Sequence, residues 1–72
     1  SRGPLVTKLQ AGLLRTFPSY AGPIKSSGGA DGVYGPATEA VVREFQRRVG
    51  IQSDGEVGPT TRHYLARYGI KL

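Results

Sequence analysis

The sequence contains no cysteine and a single histidine, His63. Without cysteine, neither a disulfide nor a thiolate metal site can stabilise the fold. One histidine with no cysteine or second histidine does not make a zinc site, and one aspartate per turn supplies too few oxygens for a calcium loop. We therefore predict that the chain holds no metal and no cofactor. The lack of cysteine leaves the redox compartment open.

Long hydrophobic runs are also missing. No apolar stretch approaches the roughly 18 residues that indicate a membrane span, and no signal-peptide pattern is present. The sequence therefore predicts no membrane partner. Residues 1–4, Ser-Arg-Gly-Pro, are interpreted as a leader that includes residues of vector origin, and residues 5–72 as one small domain.

Recognisable catalytic motifs are absent from the sequence as well. No serine lies in a nucleophile elbow, and there is no cysteine nucleophile. The five acidic residues are all explained by turns or by ion pairs on helix surfaces, and a chain of 72 residues has little room for a deep cleft. A carboxylate pair for glycoside hydrolysis is therefore not expected. We predict a binding module and no enzyme.

Acidic residues are few compared with basic ones, and the formal net charge is +5. A basic domain favours polyanionic partners such as nucleic acid, anionic lipid or bacterial wall polymers, without choosing among them. Arginines 43, 47 and 48 form a basic strip on one predicted helix, and Arg62 and Arg67 lie on the next. Such a strip is either a solvated face or a clamp for carboxylates and phosphates. Arg62 is the best placed to clamp an anion, because it follows a predicted helix N-terminus.

An eight-residue motif occurs twice, as residues 31–38 (DGVYGPAT) and 54–61 (DGEVGPTT). Its Asp-Gly pair predicts a turn in which the carboxylate accepts backbone N–H groups. The second glycine suits a helix N-cap, proline suits the first helical position, and threonine is expected to satisfy free N–H groups of the first turn. The helical pattern that follows each copy of the motif ends at a Gly-Ile pair, Gly50-Ile51 or Gly69-Ile70. Such a pair suits a left-handed cap followed by an apolar contact.

Hydrophobic periodicity predicts three helices, from Leu5 to about Thr16, Pro36 to about Val49 and Pro59 to about Tyr68. The predicted fold is all-α, a compact three-helix bundle with two repeated loop–helix units. Residues 18–30 are predicted to form an extended loop rich in Gly, Pro and Ser. Within it, Tyr20 and Ile24 either fold back onto the core or belong to a functional surface loop.

Several short motifs in fixed order carry a family resemblance. They are Leu9-Gln10, Asp31-Gly32-x-Tyr34-Gly35-Pro36-x-Thr38, Val42-x-x-Phe45-Gln46, Gly50-Ile51-x-x-Asp54-Gly55-x-x-Gly58-x-x-Thr61 and Leu65. This pattern resembles the bacterial peptidoglycan-binding domain of type 1. The resemblance implies a non-catalytic wall anchor of a cell-wall hydrolase or phage endolysin, with an extracellular or periplasmic location. The chain departs from the family in the longer loop before Asp31, where a specificity of its own is possible.

The resemblance implies a shallow groove formed by the two Asp-Gly loops and the helix starts that follow them. Its expected ligands are the muramyl peptide and the adjacent amino sugars. The candidate ligand-binding residues are Tyr20, Asp31, Tyr34, Arg43, Gln46, Asp54, Thr61 and Arg62. Several of them have a structural alternative: the aspartates can brace their turns, Tyr34 can belong to the core, and Gln46 can bond the adjacent loop backbone.

We expect a monomer whose partners are peptidoglycan and a covalently linked catalytic domain. One alternative is a basic helical nucleic-acid-binding domain, although Glu39 and Glu44 interrupt the basic face and no base-reading surface stands out. Specific nucleic-acid binding is therefore not predicted. A second alternative is a protein-interaction or prodomain scaffold, without the inhibitory cysteine that such a prodomain uses in metalloproteases.

Overall fold

The computed structural model describes residues 3–72. Its helices are α1 (Pro4–Thr16), α2 (Gly22–Ser26), α3 (Pro36–Val49) and α4 (Pro59–Arg67). The all-α bundle is confirmed, and the three predicted helices lie where periodicity places them. Of the predicted leader, residues 1 and 2 lie outside the described residues, whereas Pro4 is the first residue of α1. No described helix is long and apolar enough to cross a membrane.

The short helix α2 is the addition that the sequence did not predict. Its five residues are too few for a hydrophobic period to reveal them, and a helix of that length gains its stability from packing. Ala21 and Ile24 are fully buried, and the Tyr20 ring stacks on Phe17 with their centroids 5.2 Å apart. Tyr20, Ala21 and Ile24 therefore fold back onto the core, as one of the two alternatives for this loop predicted.

The core is formed by the apolar stripes of all four helices together with the segment after α4. Its central ring is Phe45, which lies 5.5 Å from the Phe17 ring and 5.9 Å from the Tyr68 ring, centroid to centroid. The buried apolar residues are Leu9, Leu13, Ala21, Ile24, Val41, Val42, Phe45, Leu65 and Ile70. Burial of these side chains is the main stabilising contribution in a chain without covalent cross-links.

Helices α3 and α4 end in the same left-handed cap. Gly50 has φ of 84°, and the N–H of Ile51 donates to the carbonyl of Gln46 at 3.0 Å. Gly69 also has φ of 84°, and Ile70 follows it in the equivalent place. The predicted caps are confirmed, and they set the direction in which the chain leaves each helix.

Candidate functional site

The first Asp-Gly turn is built around the side chain of Gln10, which comes from α1. The Gln10 Nε2 atom lies 3.1 Å from Asp31 Oδ1 and 2.9 Å from Thr38 Oγ1. The same nitrogen is 3.0 Å from the carbonyl oxygen of Val33. The Gln10 Oε1 atom accepts the N–H of Gly32 at 2.8 Å. One amide side chain thereby holds both ends of the turn and the start of α3.

The second turn repeats this arrangement around Gln46 of α3. Its Nε2 atom lies 2.9 Å from Asp54 Oδ1 and 3.0 Å from Thr61 Oγ1. The same nitrogen is 2.9 Å from the carbonyl oxygen of Glu56, and the Oε1 atom accepts the N–H of Gly55 at 2.9 Å. In both turns, therefore, a buried glutamine from the preceding long helix supports the eight-residue motif.

Both glutamines are almost fully buried, with 1% of Gln10 and 0% of Gln46 exposed. A buried amide needs partners for its donor and its acceptor, and each glutamine finds them within its own turn. The hydroxyls of Thr38 and Thr61 contact the glutamine amides and make no side-chain capping bond to α3 or α4. The expectation that they satisfy helix N–H groups is therefore wrong, because their hydroxyls lie against the glutamine amides.

The glutamine-to-aspartate interval shows where the two units differ. It is 21 residues from Gln10 to Asp31 but 8 residues from Gln46 to Asp54. The connection from α1 to the first turn is therefore longer than the connection from α3 to the second turn, and α2 lies within the extra segment. Since both networks close in the same way, the extra segment lengthens the connection without changing the turn.

Both aspartates brace their turns, and their carboxylates remain at the surface. Asp31 Oδ1 accepts the N–H of Val33 at 3.0 Å, and Asp54 Oδ1 accepts the N–H of Glu56 at 2.9 Å. This backbone hydrogen bond, followed by the one from the glutamine amide, holds the pKa of each aspartate below its ordinary value of 3.8. Contact between these carboxylates and a ligand stays a prediction.

Tyr34 connects the two units. Its phenol donates a hydrogen bond to the carbonyl oxygen of Gly55, so the loop of the first unit is attached to the turn of the second. The ring is half-buried and packs against the core. Burial raises the pKa of Tyr34 to about 12, and the nearby carboxylates of Glu39 and Asp54 add to this. The hydrogen bond to Gly55 and the packing on the core together hold the Tyr34 ring in place where the two units meet.

A groove of about 340 Å³ lies beside Tyr34, between the start of α1 and the second turn. It contains one basic and one acidic side chain, Arg62 and Glu56, among mainly apolar ones. Arg62 is exposed and forms no ion pair with any residue from 3 to 72. The groove is lined by Leu5, Val6, Leu9, Tyr34, Gly55, Glu56, Val57, Arg62 and Leu72. We call it the Tyr34 groove.

Two more of the predicted site residues share a neighbouring cleft. Asp54 and Thr61 line a hollow of about 330 Å³ at the start of α4, and Glu56 lies on both this hollow and the Tyr34 groove. Asp31 lines a separate hollow with Thr7. The predicted site residues of the second turn are thus brought near Tyr34 and Arg62, whereas Asp31 is not in the groove.

The remaining predicted residues are engaged elsewhere. Gln46 is buried beneath its turn. Arg43 is paired with Glu39 at 3.1 Å. The guanidinium of Arg48 lies over the ring of Tyr20, 4.4 Å from its centroid, which places Tyr20 under α3 and away from the groove. The structure does not bring these residues together with Tyr34 and Arg62 in the groove.

The basic strip of α3 is largely compensated by acids on the same helix. The ion pairs expected on helix surfaces are present on this helix. Glu39 and Arg43 lie 3.1 Å apart, Glu44 and Arg48 lie 2.7 Å apart, and Arg47 also contacts Glu44 at 2.9 Å. Exposed pairs of this kind contribute little to stability, about 0–1 kcal/mol each. They do lower the net positive charge that α3 presents to a polyanion.

Sequence reasoning missed Gln10 and the apolar lining of the groove. A signal for Gln10 was present, since Leu9-Gln10 and Phe45-Gln46 both place glutamine directly after a buried apolar residue. Leu5, Val57 and Leu72 carried no such signal. They come from three distant segments, and only the packing of the helices brings them together.

Comparisons with known proteins agree with this architecture. The model of the type 1 peptidoglycan binding domain family matches residues 2–65. An uncharacterized protein encoded in the bpoA1 3′ region of Kitasatospora aureofaciens is 41% identical over 59 residues, which are 82% of this chain. The chain spans 45% of the length of that relative. No solved structure matches the chain. With two Asp-Gly turns in the family's order and a family match over nearly all of its length, the chain belongs to the peptidoglycan-binding domain family, type 1.

Proposed function

We propose that this domain holds an attached cell-wall hydrolase on peptidoglycan and that the Tyr34 groove is the binding surface. The observation that carries the proposal is Arg62, an exposed cation without an ion-pair partner among residues 3–72, at the edge of a groove with an apolar floor. The proposal places the domain outside the cytoplasmic membrane, in the extracellular or periplasmic space, because that is where peptidoglycan lies.

The chemistry of the groove suits a stem peptide attached to an amino sugar. A guanidinium pairs well with a carboxylate, which stem peptides carry. Apolar side chains such as Leu5 and Val57 suit the methyl groups of alanine and lactyl units. Tyr34 supplies a flat ring held by the carbonyl of Gly55, so little side-chain entropy is lost when a ligand packs on it. Asp54 and Thr61, in the neighbouring hollow, are proposed to contact the adjacent sugar.

Cosedimentation with purified sacculi tests the binding surface. Arg62→Gln is compared with Arg67→Gln, which removes the same charge from an exposed position on the same helix. We expect Arg62→Gln to weaken binding about threefold to tenfold, as for the loss of one charged hydrogen bond at a surface, and Arg67→Gln to leave it within twofold. Equal losses in both variants, or no binding by the unaltered domain, would refute the proposal.

Tethering is tested on the whole parent protein. Its hydrolytic rate is measured with and without residues 5–72, once on sacculi and once on soluble muropeptides. We expect removal of the domain to lower the rate on sacculi, because a tethered enzyme experiences a high effective concentration of an insoluble substrate. The rate on soluble fragments should stay the same. An equal loss on both substrates would indicate that the domain supports catalysis in another way.

Nucleic-acid binding has weaker support. The arginines of α3 that suggested it, Arg43, Arg47 and Arg48, are paired with Glu39 and Glu44. We expect weak binding to DNA, with a shallow dependence on salt, because few phosphates would be neutralised.

A further inference from the structure

The charges are distributed very unevenly along the chain. All five acidic residues lie between Asp31 and Glu56, so residues 1–30 and 57–72 contain basic residues and no acid. The ion pairs of the described residues all lie on α3. Any surface built only from the first and last parts of the chain is therefore uniformly basic.

The fold builds such a surface by packing the segment after α4 against α1. The link is a contact between Gly12 and Ile70. A Cβ atom at Gly12 would lie 2.8 Å from Ile70 Cγ2, so only glycine allows this close approach. Ile70 is 3% exposed and forms part of the core. Because Ile70 is held in this way, the next residue, Lys71, is positioned beside the face of α1.

The result is a cleft of about 210 Å³, and the charged side chains that line it among residues 3–72 are all basic. Lys8 and Arg15 come from α1, seven residues apart and thus on one face of the helix, and Lys71 comes from the opposite wall. All three are exposed, and none forms an ion pair with a residue from 3 to 72. Ala11 lies between Lys8 and Arg15 on α1, and its small side chain leaves the floor of the cleft open. We call it the Lys8 cleft.

We propose that the Lys8 cleft binds a phosphodiester-linked anionic polymer of the cell wall. Lys8 and Arg15 of α1 and Lys71 after α4 place three positive charges around the cleft. This arrangement matches a ligand that carries repeated negative charge. A single carboxylate would leave most of that charge unbalanced. Among residues 3–72, the cleft shares no lining residue with the Tyr34 groove, so a polymer bound there leaves the proposed peptidoglycan surface free.

That the polymer belongs to the cell wall rests on the family to which the chain belongs. Binding of the polymer in the Lys8 cleft does not require the Tyr34 groove to bind peptidoglycan. Single-stranded nucleic acid is disfavoured because the cleft, among residues 3–72, has no aromatic side chain on which a base could stack. Duplex DNA binds through its phosphates without stacking, and a wall polymer is favoured over it by the family to which the chain belongs. Its contacts are limited to charge and hydrogen bonds. Binding to the backbone of nucleic acid is one outcome that the experiment has to separate.

The test measures binding to soluble poly(glycerol phosphate) over a range of salt concentrations. Lys8→Gln/Arg15→Gln is compared with Lys25→Gln/Arg67→Gln, which removes one lysine and one arginine from exposed positions outside the cleft. We expect the Kd of the first variant to rise at least about threefold, with a shallower dependence on salt, and that of the control to change less than twofold. Melting curves should be the same, because all four side chains are exposed.

Three results would overturn the proposal: no binding to the polymer, an equal loss in the control variant, or tighter binding to double-stranded DNA at the same salt concentration. Arg62→Gln separates this proposal from the previous one. It should leave polymer binding unchanged while weakening binding to sacculi stripped of phosphodiester polymers. If the unaltered domain binds the polymer but not the stripped sacculi, the Tyr34 groove is refuted and the Lys8 cleft remains supported.

Discussion

The phenol of Tyr34 donates a hydrogen bond to the carbonyl oxygen of Gly55, and this bond joins the two repeated units of the domain. The equivalent position of the second unit is Val57, which has no hydroxyl to return the contact. The repeat is therefore asymmetric at the point where its units meet. The Tyr34 groove lies on this junction, so the stability of the junction and the shape of the groove depend on the same bond.

Tyr34→Phe should lower the free energy of unfolding by about 1–2 kcal/mol, because the half-buried carbonyl of Gly55 loses its partner. Tyr64→Phe is the control, since the Tyr64 phenol makes no hydrogen bond to residues 3–72 and its ring is likewise half-buried. Urea denaturation followed by circular dichroism measures both. A loss of the same size in the two variants would mean that the Tyr34 bond contributes nothing.

Gln46→Glu should destabilise the domain by at least about 2 kcal/mol at pH 7, because a buried carboxylate oxygen would replace the Nε2 donor that lies 2.9 Å from Asp54 Oδ1. Protonation of the introduced carboxyl restores a donor. The deficit relative to the unaltered domain should therefore shrink as the pH is lowered from 7 towards 5.

Gln52→Glu is the matched control for this substitution, because Gln52 is exposed and lies outside the turn network. It should change stability by no more than about 0.5 kcal/mol. If Gln46→Glu is unfolded at neutral pH, its helical circular dichroism should still recover on mild acidification, which would report the same effect of the buried carboxylate. A deficit in Gln46→Glu that is independent of pH would contradict the network.

Acid should destabilise the domain through Asp31 and Asp54. The pKa of each is lower in the folded state than its ordinary value of 3.8, so the charged form stabilises the fold. That contribution is complete above pH 3.8 and is lost as the pH falls through the lowered folded-state pKa values. Urea midpoints measured at intervals below pH 5 should decrease accordingly. In Asp31→Asn/Asp54→Asn the decrease should be smaller, because Asn keeps an oxygen acceptor without titrating.

Gly12→Ala should destabilise the domain although alanine is the better helix former by about 1 kcal/mol. The added methyl group would lie 2.8 Å from Ile70 Cγ2 inside a packed core, and overpacking costs about 1–3 kcal/mol. Gly22→Ala is the control, because a Cβ there meets no atom of residues 3–72 within 4 Å and the residue is also helical. Thermal melts distinguish the two. A stabilised Gly12→Ala variant would show that Ile70 moves aside without cost.

The sequence by itself determined the three longer helices, α1, α3 and α4, and their boundaries. Pro36 and Pro59 start helices, and Gly50 and Gly69 end them, because these residues act through local backbone geometry that a short segment fixes alone. The braces at Asp31 and Asp54 were predictable for the same reason. The ordered motifs were also sufficient to indicate the family.

Only the tertiary structure decided what surrounds those local elements. The five residues of α2 become helical through packing, and Tyr20 lies under Arg48 because the extra segment folds back onto α3. The role of Gln10 depends on a contact across 21 residues, and the Tyr34 groove and the Lys8 cleft each combine the two ends of the chain. Turn and cap chemistry acts over a few residues, whereas burial and charge act across space, so the doubled motif sets the scaffold and the packing of its helices sets the surfaces.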